Sequence, residues 1–138
     1  MLAIVGALWG WVCLNLFTLV MSSVAHTGGP FTREWQVPVL FTSAATVLVF
    51  RMEIATKTGW SAFGSSVKIA YIHVALYLLV LASYTVVASG GSLLGNAGSL
   101  VVYGFFYALL FSPILILLGA ASQYLMRPVA RWAGGLGA

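Results

Sequence analysis

Charged side chains are nearly missing from this chain: Lys and Arg supply six residues and Asp and Glu two, in a sequence of 138 that is 62% apolar. Soluble domains carry about a quarter charged and about half apolar residues. A chain this short still exposes roughly a third of its unfolded surface after folding, so a water-soluble fold could not hide this much apolar area. Cysteine is almost absent too. Cys13 stands alone, which excludes an internal disulfide and a thiolate metal site. The two acids, Glu34 and Glu53, lie far apart and offer no carboxylate pair. There is no Gly-rich phosphate loop, no HExxH, no CxxC and no Ser/His/Asp set at membrane depth. A chain with so few reactive groups is not expected to be an enzyme.

What the sequence has instead is long apolar runs. Four of them predict an all-α integral membrane protein, an antiparallel bundle of four transmembrane helices forming one domain over residues 1–138. The expected spans are about 3–25, 38–56, 67–88 and 99–126. Ser23-Val24-Ala25 resembles a leader cleavage site. The first run nevertheless lacks a basic start and exceeds the ~7–15 residues of a signal core, so it reads as a retained span. Gly28, Gly29 and Pro30 mark the first turn, 59–66 a second link, and Gly90, Gly91, Gly95 and Asn96 a third. Pro38 is expected in the first turn of the second helix, and Pro113 is expected to kink the fourth. The second run needs Arg51 to reach headgroups by snorkelling.

The six basic residues flank apolar runs, a pattern that fits orientation and anionic headgroups rather than nucleic acid. Arg51, Lys57, Lys68, Arg127 and Arg131 fall on one side and Arg33 on the other. The positive-inside rule then places both termini in the cytoplasm, in what is read as a bacterial or archaeal inner membrane. Trp60, Arg51 and Arg127 are the expected interface anchors.

His26 and His73 are the two imidazoles, and a haem or pigment on His73 is the sharp possibility. The expected topology sets the two histidines about 15–20 Å apart along the normal, so a second ligand would come from a neighbour. A hydrogen bond from His73 to another helix is the plainer expectation. Asn15, mid-span, is expected to face protein as interhelical glue. Glu53 lies beside Arg51 and Lys57, which suits a headgroup or loop ion pair better than translocation. Gly6 and Gly10, Ala108 and Ser112, and Gly119 with its small neighbours give smooth strips for helix packing. Tyr103, Phe105, Phe106 and Tyr107 read as packing or lipid contact.

Together these features point to a non-catalytic accessory subunit of a larger membrane complex, in contact with other integral membrane subunits and lipids, with an electron- or proton-handling complex as the kind expected. A small homo-oligomeric transporter or channel is the alternative, with Asn15, Thr42, Ser43, Thr46 and His73 as a polar route. A haem- or pigment-binding subunit using His73 is the third reading.

Overall fold

The structure, a computed structural model, describes residues 1–25, 33–89, 98–110 and 112–133. Among the described residues helix takes in everything except Met1, Phe50, Lys57 and Thr58, and there is no strand. The helices are α1 (Leu2–Ala25), α2 (Arg33–Val49), α3 (Arg51–Thr56), α4 (Gly59–Ser89), α5 (Gly98–Leu110) and α6 (Ser112–Ala133). α1, α4 and α6 contain stretches long and apolar enough to cross a bilayer, whereas the apolar part of α2, Gln36–Val49, is shorter. Helix is what a hydrocarbon solvent demands of such runs, since every backbone N–H and C=O must be satisfied within the segment. The turns marked at Gly28–Pro30 and at 90–97, together with His26, lie outside the described residues.

Neighbouring helices pack antiparallel. Gly6 faces Val47 and Gly10 faces Ser43, which orders α1 against α2. Ser43 and Thr46 meet His73 while Glu53 meets Ser65 and Lys68, which orders α2 and α3 against α4. α5 and α6 lie in succession along α4, with Gly104 against Leu78 and Gly119 against Ala70 and Ser66. α6 also returns to α1, where Trp9 meets Ser122. Leu2, Val47, Ile54, Ala55, Met126 and Ala130 form one apolar cluster. It joins the start of α1, the end of α2, α3 and the end of α6 at one end of the molecule.

Burial is distributed as in a protein meant for lipid. Ile4, Leu19, Phe41, Val49, Leu79, Val102 and Leu117 point outward, while Thr42, Ser43, Thr46, Ser65 and Ser66 are buried. Small and hydroxyl-bearing residues let backbones approach, and lipid tails receive the large aliphatic side chains.

Several boundaries depart from the sequence expectation. The link assigned to 59–66 is helical from Gly59 onward. The turn is instead Lys57-Thr58, followed by Gly59 at φ +56°, a left-handed value that glycine adopts without the Cβ clash other residues suffer. Pro38 lies inside α2, which begins at Arg33, rather than in its first turn. Pro113 is the second residue of α6, and Phe111 before that helix lies outside the described residues. The second run bends at Phe50 (φ −94°, ψ 12°). The bonds Phe50 N–H to Thr46 O and Ile54 N–H to Phe50 O still carry the helical ladder through the bend. α3 therefore continues α2 at an altered angle and carries Arg51 and Glu53 beyond the apolar stretch.

A buried polar seam as the candidate functional site

One group of buried polar side chains lies between α2 and α4, on the side of α2 that α1 backs. His73, on α4, has Thr46 Oγ1 3.1 Å from Nδ1 and Ser43 Oγ 3.5 Å from Nε2. Proton counting assigns the tautomer. The Thr46 hydroxyl donates to Thr42 O at 2.7 Å, so toward the imidazole it acts as acceptor and Nδ1 carries the hydrogen. Nε2 is then left to accept from the Ser43 hydroxyl. Thr42 Oγ1 donates to Pro38 O at 2.9 Å. The chain from Ser43 through His73 and Thr46 thus ends on a backbone carbonyl, which can accept a proton but not pass one on. Chemically the arrangement is a neutral imidazole held in one orientation. A metal or macrocycle at Nε2 would have to displace the longer of its two bonds, the one to Ser43.

The backbone of α1 is brought close to this group by Gly10, where a Cβ would overlap the Ser43 side chain. One turn away, a Cβ at Gly6 would lie only 3.0 Å from Val47 Cγ2. The spacing of small residues on α1 is therefore matched to α2, and it sets how closely Ser43 is pressed toward His73.

A second polar group joins α1 to α6. The Trp9 indole Nε1 donates to Ser122 Oγ at 2.6 Å, and Ser122 donates to Leu118 O at 2.6 Å. Cys13 Sγ lies 3.8 Å from the same oxygen. With its own proton given to Leu118 O, Ser122 accepts from both the indole and the thiol, and its capacity is full. Trp9 is thus an interhelical hydrogen-bond donor from α1 to α6. Asn15 donates from Nδ2 to Trp11 O at 2.7 Å, a bond within its own helix rather than across to another.

The third group lies at the end marked by the apolar cluster. Glu53 accepts from Lys68 and from Ser65 Oγ at 2.7 Å. Arg127 donates from Nη2 to Lys57 O at 2.8 Å, and Arg131 donates from Nε to Ala55 O at 3.0 Å. Both guanidinium groups therefore meet carbonyls at the C-terminus of α3, where orphan acceptors and the negative end of the helix dipole favour a cation. Gln123, one turn before Arg127, is buried, and neither of its amide atoms is bonded. Arg51 is exposed, and Trp60 is 89% exposed with its ring edge-on to Phe63 at 6.1 Å.

Of the residues singled out in the sequence, Gly6, Gly10 and His73 come together at α2. Gly119 packs on α4, and Ala108 is buried on α5 beyond Gly104. Ser112 and Pro113 open α6. The side chains of Tyr103, Tyr107, Arg33, Glu34 and Trp35 lie outside the described set. Ser122, Gln123 and Gly104 went unremarked as individual positions. Adjacent Ser and Gln in an apolar helix, and a Gly104-x3-Ala108 spacing, were the available signals. No group of three or more potential metal ligands forms among the described residues. No protein-family model matches this chain, and no curated protein or solved structure does either.

Proposed function

We propose that the chain is a four-pass membrane protein acting as a non-catalytic subunit of a larger membrane assembly. α1, α2 with α3, α4, and α5 with α6 are its four passes, and both termini face the cytoplasm. The observation that carries this reading is that the polar groups around His73 and Ser122 are taken up by protein partners. His73 is held between Ser43 and Thr46, Ser122 is saturated, and Asn15 turns back on its own helix. α5 at the same time turns Val102, Phe105, Phe106, Leu109 and Leu110 outward. Such a face suits lipid or the transmembrane helices of other subunits. The test is mild detergent extraction of native membranes followed by native electrophoresis and identification of co-migrating chains. A discrete larger species supports the assembly, and migration as a lone 14.7 kDa protein overturns it.

A homo-oligomeric transporter or channel is the second reading, favoured by the convergence of Thr42, Ser43, Thr46 and His73 on one seam. It requires flux through liposomes that contain this chain alone. A haem or pigment at His73 requires a Soret-type band in the purified protein.

A further inference from the structure

Five of the six cations of this chain are scattered over 80 positions in sequence, from Arg51 to Arg131, yet the fold gathers them at one end. Lys57 closes α3, Lys68 and Glu53 meet, Arg127 and Arg131 reach α3 from the far end of the chain, and Arg51 opens α3. One carboxylate stands among them. Glu53 is already engaged by Lys68 and Ser65 and feels the charge of Lys57 as well, so among the described residues one carboxylate stands against five cations. Arg127 and Arg131 keep their full charge when they donate to carbonyls.

We propose that this end of the molecule binds the phosphate of an anionic phospholipid, with Arg127 as its central donor and Arg51, Lys57 and Arg131 as the surrounding charge. Arg127 Nε is enclosed and has no acceptor, and the Gln123 amide one turn back, only 7% exposed, likewise has no partner for its nitrogen. The Gln123 oxygen is unbonded too, so the amide alone favours no charge, but an enclosed donor on a cation calls for an anionic oxygen. Binding exchanges the Arg127 bond to Lys57 O for a bond to the phosphate, and the movement uncovers the Gln123 amide. The flanks select lipid over free phosphate. Trp60, Phe63 and Trp132 are exposed around the cations, as aromatic residues at a headgroup boundary are. A soluble anion gains nothing from them.

This site rests on the membrane-spanning reading, and the two fail separately. If the chain is monodisperse without detergent, the membrane reading falls before any lipid is added. The site itself is tested by titrating phosphatidylglycerol or phosphatidylcholine into the detergent-solubilised protein and following Tm. A saturable rise is expected with the anionic lipid and not with the zwitterionic one. Arg51→Gln and Lys57→Gln, both at exposed positions, should each raise the midpoint of that rise about fivefold, given roughly 1 kcal/mol per surface cation. Arg127→Lys, which keeps the charge and loses Nε, should weaken binding as well. Arg33→Gln, on the other side of the bundle, should leave the midpoint unchanged. An equal response to phosphatidylcholine, unchanged midpoints in the first three variants, a shift in the Arg33 control as large as theirs, or reproduction of the whole rise by millimolar inorganic phosphate would each overturn the proposal.

Discussion

A methyl group at Gly10 would overlap Ser43, one of the two hydroxyls that hold His73. Gly10→Ala is therefore expected to lower stability in detergent by about 1–3 kcal/mol, the usual range for overpacking a close contact. Gly64→Ala, inside α4 with open space around it, should be neutral or gain up to about 1 kcal/mol from helix propensity. Thermal unfolding of the two variants side by side checks the contrast, and equal effects would mean that the α1–α2 approach is not tight. Thr46→Val removes the side-chain acceptor of the His73 Nδ1 hydrogen and leaves it only the Thr42 backbone. A double-mutant cycle with His73→Leu should return a coupling of about 0.5–2 kcal/mol, whereas additive effects would remove the bond from the account. Gln123→Met, which removes two unbonded polar atoms at similar volume, should raise stability by about 1–3 kcal/mol in lipid-free detergent. The sequence made His73 and Gly10 conspicuous but not the pairing between them and Ser43. Residue 43 lies 30 positions from His73, and no short-range pattern links hydroxyls on one helix to an imidazole on another.

At the scale of elements, the helical character of the apolar runs was legible because hydropathy and helix length both follow from bilayer thickness. The ends of helices were harder to read. Gly59-Trp-Ser-Ala-Phe-Gly reads as a link by composition, yet α4 runs through it because its polar groups sit near the start of a long helix, where Ser61 Oγ bonds Thr58 O and Ser66 Oγ bonds Phe63 O. Pro113 lies just after the boundary between α5 and α6, which falls at Phe111, outside the described residues. At the α3–α4 turn, Gly59→Ala forces a Cβ into the left-handed region and should cost about 1–2 kcal/mol. The α3 amides, adjacent to that turn, should exchange hydrogen faster in the variant than in the parent. Unchanged exchange would show that the turn does not restrain α3.

For the whole molecule, large apolar side chains cover much of the outer surface, and this was the property most plainly written in composition. Labelling of single-cysteine variants at Lys57 and at Ala138, in a Cys13→Ala background, should react from the same side of a sealed vesicle. Labelling from opposite sides would end the four-pass topology. The gathering of cations at one end was visible in sequence only as a bias between links. What fixed it in space is the pair of bonds from Arg127 and Arg131 to α3, which join residues 70 and 76 positions apart. Those bonds also impose an order of events during biosynthesis. The α3–α4 hairpin leaves the ribosome with the carbonyls of Ala55 and Lys57 lacking their eventual partners, and they must wait for the final helix of the chain to arrive. A nascent polypeptide that stops short of Arg127 thus presents an unfinished surface, the kind of signal by which membrane proteases sort incomplete chains from mature ones.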